Sequence, residues 1–294
     1  MKKLAITSAL LAALAVTGTA HAYQTELNVG YENTDFENNL GGFELDSDGD
    51  LFFVNGKYYL NTVNTKNAPL AEAAFLNKAS NIGLGYVNAQ NELSEAGINA
   101  EEEFEIIGVN GEFFIPNSQF YISGSLNQVD YTASARAPGF TYDESDDTTG
   151  YSLEAGYLPV NGLLLALGVA KESVDPMLAS KIGFASTLGY GVAVGEDTAV
   201  SLRAKYVTQI GNHFTNFEGV TYFGDETAYR LAADLYIDPT LSIGVSFADS
   251  TADESDTIFS VRTQKFFTPA IAAGVNYTTT DGADSFGING TFRF

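Results

Sequence analysis

The chain has 294 residues, with 14 Lys and Arg against 37 Asp and Glu, a formal charge of −23 and no cysteine. That acid excess excludes a nucleic-acid surface and disfavours anionic substrates; without cysteine there is no disulfide and no thiol chemistry. The 29 Gly, 16 Tyr and 21 Phe exclude a disordered acidic protein and fit a β protein with many turns and exposed aromatics.

Met1–Ala22 reads as a secretory signal peptide. Lys2 and Lys3 form its positive start, Leu4–Val16 is apolar but too short to span a bilayer stably, and Ala20-His21-Ala22 is a small-x-small cleavage site. Its loss removes two lysines and no acid, which deepens the negative charge by two. No cysteine follows the cleavage site to carry a lipid anchor. Residues 23–294 show no second domain and no solenoid repeat, so they are expected to form one domain. They contain no apolar run long enough for a transmembrane helix, and such a chain crosses a bilayer only as a closed barrel.

Alternation with period two, the signature of strands with one apolar face, then runs along the chain. Leu27, Val29 and Tyr31 share one face of the first strand. Phe52, Val54, Tyr58 and Leu60 do so in the second, with Asn55 and Lys57 opposite. The pattern returns in Tyr151–Tyr157, Leu163–Val169, Val200–Tyr206, Tyr229–Leu235, Leu241–Phe247 and Ile271–Tyr277. Residues 103–114 break parity, because Phe104 and Ile106 lie on one face and Val109 and Phe113 on the other; a bulge near Ile107 or Gly108 would explain it. The segment 181–193 is Gly-rich and weakly patterned, and is counted as a strand. Ser285–Phe294 alternates Phe286, Ile288, Phe292 and Phe294 with polar residues and stops on an aromatic. Such an end suits a strand that pairs with the first and closes a barrel, and a terminal Phe after alternating aromatics resembles the signal that outer-membrane barrels present to the assembly machinery. The other reading of this segment is the edge strand of a secreted β-sandwich.

The connections alternate in length. Short turns fall at Pro116-Asn117-Ser118, Pro159-Val160-Asn161-Gly162, Gly195-Glu196-Asp197, Asp238-Pro239-Thr240 and Thr268-Pro269-Ala270. Longer polar stretches lie between them, at residues 35–50, 89–102, 131–148, 171–181, 210–226, 249–256 and 280–284. That asymmetry belongs to outer-membrane barrels, with short periplasmic turns and long extracellular loops. The expected fold is therefore all-β: an antiparallel transmembrane β-barrel of about fourteen strands with both termini in the periplasm. Its partners are then outer-membrane lipid and lipopolysaccharide, the barrel assembly machinery, and small solutes and ions.

If the apolar face meets lipid, the opposite face lines the lumen. Lys57, Asn127, Glu154, Arg203, Lys205, Arg230, Asp234, Arg262 and Arg293 are the expected pore-lining residues, too many charges for a soluble core. Arg203, Lys205 and Arg230 form either a basic ladder facing acids across the pore or a set of salt bridges that hold the wall. A barrel of this size leaves a pore that a segment can block. One candidate is the third long connection, 131–148, with Arg136, Phe140, Tyr142 and Asp143 as an extracellular constriction; its acid run by itself reads rather as an exposed loop, and Phe140 and Tyr142 are the better plugs. The other is Asn61–Ala79, which falls where every other turn is short. Its Leu70, Phe75 and Leu76, with Glu72 and Lys78, mark a periplasmic constriction or gate. Either it folds into the mouth, with Lys66 and Lys78 pairing with acids on the wall, or it lies outside as a small helix.

The run Pro69-Leu70-Ala71-Glu72-Ala73-Ala74-Phe75-Leu76-Asn77-Lys78-Ala79-Ser80, with Tyr58-Tyr59-Leu60 before it and Gly83-Leu84-Gly85-Tyr86 after it, resembles a porin family of Gram-negative outer membranes. The resemblance implies an outer-membrane porin, in a family whose members include a gated fourteen-stranded channel, and names no substrate.

Other chemistry finds little support. Asp46, Asp48 and Asp50 resemble the start of a Ca²⁺ loop, but Leu51 and Lys57 stand where that loop needs Gly and Glu. No cofactor, resident metal or catalytic residue is expected; after the leader one histidine remains, His213, in a long connection. The expected function is passive diffusion of small neutral or cationic solutes. The alternative is a closed structural barrel whose acidic loops bind partners.

Overall fold

Fourteen strands pair edge to edge in the computed structural model, which describes residues 22–40, 43–66, 68–95, 97–171, 198–252 and 255–294. They are β1 (Ala22–Leu40), β2 (Phe43–Asn64), β3 (Asn81–Glu95), β4 (Ile98–Phe114), β5 (Phe120–Ala137), β6 (Phe140–Tyr157), β7 (Leu163–Lys171), β8 (Ala199–Ile210), β9 (His213–Phe223), β10 (Thr227–Asp238), β11 (Leu241–Ser250), β12 (Ile258–Thr268), β13 (Ile271–Thr280) and β14 (Ala283–Arg293). Each pairs antiparallel with its neighbours in sequence, and β14 returns to β1, so the sheet is a closed barrel. The seam runs from Glu26↔Arg293 to Phe36↔Ala283, and Phe294 ends it with backbone bonds of 2.8–3.0 Å to Gln24 and Thr25.

Side chains of the wall invert the order of a soluble protein. Outward positions carry Leu153, Leu167, Leu231 and Phe286, all more than half exposed, while Asn55, Lys205, Arg230 and Asn276 point inward and are buried. Only a lipid-facing exterior with a polar interior makes that inversion favourable. Among the described residues no helix is long and apolar enough to cross a membrane.

Three expectations change. First, the strand count agrees but two assignments do not. Residues 210–226, expected as a long connection, contain β9 between tight turns, and His213 begins that strand with Nδ1 3.1 Å from Ile237 O. β7 pairs directly with β8, so the ring closes on β9; the segment 181–193 and the turn at 195–197 lie outside the described residues. Second, no bulge interrupts β4. Its register against β3 and β5 is continuous, and Phe104 and Ile106 simply face inward, where Ile106 packs with Leu51, Phe53, Val87 and Ala89. Third, much of the expected long loops is strand. β1–β2, β3–β4 and β5–β6 stay paired to Leu40↔Phe43, Glu95↔Ile98 and Ala137↔Phe140. Alternation is weak at the β5–β6 tip because Phe140–Asp147 are exposed on both faces; the backbone still gains by pairing.

Candidate functional site

Period two delivers a belt of charge to the barrel interior. Arg293 on β14 meets Glu26 on β1 at 2.7 Å, and Arg203, Lys205 and Arg230 meet Glu218 on β9 at 3.1, 3.5 and 3.8 Å. Three further pairs span an intervening strand: Lys57–Glu112 at 3.9 Å across β3, Arg203–Glu154 at 3.2 Å across β7, and Arg262–Asp234 at 2.8 Å across β11. Small residues make these crossings possible. Gly83 stands opposite Lys57 and Ala166 opposite Arg203, while Gly244 stands opposite both Asp234 and Arg262. A Cβ on Gly244 would collide with Asp234 Oδ1 and lie 2.9 Å from Arg262 Nε, so glycine here serves a close approach.

These acids sit on neighbouring or next-but-one strands. The arrangement is the one that holds a wall, not a basic ladder facing acids across an open pore. Buried charge is tolerated because each is paired. Lys57, Arg203, Lys205, Arg230, Arg262 and Arg293 are balanced by Glu26, Glu72, Glu112, Glu154, Glu218 and Asp234, so this belt carries none of the chain's acid surplus. A layer of amides and hydroxyls adjoins it: Asn28 Nδ2 donates to Asn55 Oδ1 at 3.0 Å, and Thr291 Oγ1 to Asn28 Oδ1 at 2.7 Å.

The connection between β2 and β3 enters this interior from the end with the short turns. It forms a 3-10 turn at Leu70–Glu72 and one helical turn, α1, at Ala73–Leu76. Pro69 cannot donate to a sheet ladder and the alanine-rich run that follows favours a helical turn, so this stretch leaves the wall. Its apolar side chains find three separate patches. Leu70 packs on Phe266 and Ala272, Ala73 on Tyr23, Tyr59 and Val63, and Phe75 on Phe114, Tyr121 and Leu164. Polar contacts fix it further. Leu70 N donates to Pro239 O at 2.8 Å and Arg293 Nη1 to Leu70 O at 2.9 Å. Glu72, almost fully buried, meets Lys205 at 2.9 Å and accepts from the Tyr236 hydroxyl at 2.8 Å. The Leu76 side chain lies near Gly162, and Lys78 turns the chain back towards β3 with φ of 51°. Among the described residues the ion pair of this segment is made by Glu72, and not by Lys66 or Lys78 as expected.

A polar cavity opens beside the segment. Lys57, Lys205, Arg230, Asp234, Arg262 and Arg293 line it, with Ala71 and Glu72 contributed by the turn. Asn127, Glu154 and Arg203 also face inward but stand apart from it. The expected constriction from 131–148 is not there. Arg136 pairs with Asp143 at 2.6 Å on the exposed β5–β6 hairpin, and Phe140 and Tyr142 are exposed and do not line the cavity. The polar segment extends the wall because continued pairing satisfies its backbone, whereas folding inward would bury four acids.

Sequence reasoning missed Glu26, Glu112, Asn216, Glu218 and Tyr236. Glu26 was readable, since it shares parity with Asn28 opposite Leu27 and Val29. Glu112 was masked by the supposed bulge, and Asn216 and Glu218 by the reading of 210–226 as a loop.

A model of the family described as "Putative general bacterial porin" matches residues 1–294. The crystal structure of the Acinetobacter baumannii outer membrane protein Omp33 is similar at 29% identity and a TM-score of 0.65, over 93% of this chain and 99% of that one. A Pseudomonas aeruginosa FadL homologue is similar in fold alone, at 10% identity and a TM-score of 0.54, over 92% of this chain and 90% of that one. None of the curated proteins matches the chain.

Proposed function

The chain belongs to the general bacterial porin family of Gram-negative outer membranes, and from that premise we propose that it is a gated channel for passive diffusion of small neutral or cationic solutes, narrowed at its periplasmic mouth by the connection between β2 and β3, without Asn61–Asn64, which continue β2. The observation that carries this reading is the docking of the turn on three sides of the lumen, with Glu72 joined to Lys205 and Tyr236. Burying Leu70 contributes roughly 1.5–3 kcal/mol and the partial burial of Phe75 less than that, before the cost of ordering the segment. A net balance of a few kcal/mol keeps a gate mostly closed and still lets it open.

Lys205 supports opening as well as closure. It lies between Glu72 of the turn and Glu218 of the wall, so a departing turn leaves the lysine with a partner. The signal peptide 1–22 is removed on export, Phe294 presents the chain to the assembly machinery, and the exposed apolar belt meets lipid and, on the outer leaflet, lipopolysaccharide. No catalytic step is part of this reading.

Replacing 66–78 by a short Gly/Ser turn tests it. Single-channel conductance and solute uptake should rise several-fold while the barrel keeps its heat-modifiable migration. Unchanged conductance in a folded replacement removes the gate, and no conductance from either form favours the closed barrel with partner-binding loops.

A further inference from the structure

We propose that the inner face of the β4–β5–β6 extension, around Ala133, is a capture site for small organic cations that carry an apolar ring, the class of the arylalkylammonium ions. Its role as the outer entrance of a pore rests on the channel reading above; the site itself rests on register. Phe104 on β4, Tyr131 on β5 and Asp146 on β6 stand side by side, and Glu102, Ala133 and Glu144 form the next row towards the hairpin tip. All six continue the inward parity of Ile106, Asn127 and Glu154. A tilted strand crosses the bilayer in about 9–11 residues, so of the 18 in β6 those from Phe140 to Asp147 stand beyond it, at the end opposite the short turns.

Three features mark this patch. The Phe104 and Tyr131 rings meet with centroids 4.8 Å apart, tilted by 39°, and both side chains are only half-buried. Glu102, Glu144 and Asp146 are exposed, and among the described residues no Lys or Arg pairs with them. Their donors are neutral: the Tyr131 hydroxyl reaches Glu102 at 3.5 Å, the Tyr142 hydroxyl reaches Glu144, and the Asp147 backbone N–H reaches Asp146 at 2.9 Å. In the belt below, by contrast, every acid has a cation beside it. Finally, Ala133 separates Glu102 from Glu144, so the row has a gap between two long side chains. Strands lie about 4.8 Å apart, which makes the gap about 10 Å across from one flanking strand to the other.

The chemistry of the gap selects its occupant. Desolvation, then Glu102 and Glu144, push the Tyr131 hydroxyl above its ordinary pKa, so both carboxylates act at this one ring. Unpaired acids of one sign concentrate cations in a concave wall. The carboxylates are too spread to hold a metal ion: among the described residues no group of three acidic or histidine side chains is close enough. An ammonium on an apolar stem suits the spread better. Its ring rests on Ala133 and the Phe104–Tyr131 pair, and its charge lies between the acids and within about 6 Å of an aromatic face. A neutral ring gains only the apolar contact, and a bare ammonium only the charges.

Equilibrium dialysis of the full barrel in detergent against radiolabelled 2-phenylethylammonium tests the site, with a detergent-only blank. The comparison probes are 2-phenylethanol, which keeps the ring, and ethylammonium, which keeps the charge. At low salt and neutral pH, 2-phenylethylammonium should bind roughly tenfold tighter than either, and should lose most of that advantage near 1 M salt, where screening acts over about 3 Å. Ala133→Leu keeps both rings and all three acids but fills the gap; it should weaken binding roughly tenfold. Glu102→Gln combined with Glu144→Gln should bring the affinity down to that of 2-phenylethanol. Heat-modifiable migration reports whether each variant has folded, and the comparison of probes needs neither variant. Equal binding of 2-phenylethanol or of ethylammonium to the wild type overturns the proposal, because the ring or the charge then suffices alone. An advantage that survives both variants overturns the location. Single-channel conductance of the barrel with 66–78 replaced keeps the two readings apart. A conducting barrel without selective binding loses the site and keeps the channel; a barrel that binds selectively and never conducts keeps the site and loses its role as an entrance.

Discussion

Two connections had the length to reach the lumen, and they took opposite courses. Residues 131–148 are rich in Asp and Glu and became strand, paired in register from Tyr131↔Asp146 to Ala137↔Phe140 and supported on the other side by β4 through Asn99↔Arg136. Residues 65–80 left the sheet, formed a 3-10 turn and one turn of helix, and buried Leu70 and Ala73 inside the barrel. Length therefore does not decide which loop enters a pore. A segment that can keep its ladder extends the wall, since its backbone is satisfied there and its charges stay in water. A segment with Pro69 and a clustered apolar run can do neither in the periplasm, and the interior offers matching patches.

The largest expected break in this comparison is electrostatic. Glu72→Gln removes the turn's share of Lys205 while Glu218 keeps the lysine paired, so open probability in single-channel recordings should rise roughly tenfold to a hundredfold. Glu218→Gln should act in the opposite direction, because Glu72 then becomes the nearest carboxylate left to Lys205. Equal effects of the two variants would remove the shared-lysine account.

Packing should matter next. Phe75→Ala loses contact with Phe114, Tyr121 and Leu164 and should weaken docking of the turn by less than the roughly 1.5–3 kcal/mol of a fully buried ring, visible as faster proteolysis near Asn77 and more frequent opening. Phe140→Ala removes a ring of similar size from the exposed hairpin, and neither readout should change. A matching effect at Phe140 would mean that the hairpin tip reaches the pore.

The smallest effect concerns selectivity. The belt balances its own charges, but Glu32 also faces inward, buried against Asn276, so the outer acids are expected to supply only part of any cation preference. Replacing Asp143, Glu144, Asp146 and Asp147 by their amides should lower the cation-to-anion permeability ratio by less than about twofold at low salt, and by nothing measurable near 1 M, where screening acts over about 3 Å. Reversal potentials under a salt gradient check this. A ratio that shifts only when Arg203 or Arg262 is replaced would place selectivity in the belt instead.

The sequence by itself determined the barrel. Alternation of Leu163–Val169 or Ile271–Tyr277 gives each strand one lipid face and one wet face, and that constraint is local, so it survives without knowledge of partners. It also placed Lys57, Lys205, Arg230, Asp234, Arg262 and Arg293 on the inner face and marked the apolar run at Leu70–Leu76 as a segment that needs cover. Only the tertiary structure decided which charges meet. Arg262 and Asp234 are joined across β11, and Glu72 joins Lys205 far along the chain, because closure of the ring and the missing side chain at Gly244 bring them together. It also decided that 213–223 is wall and that 131–148 is hairpin. Weakly patterned segments carry no sign of their own fate, which depends on whether a neighbouring strand is there to pair with them.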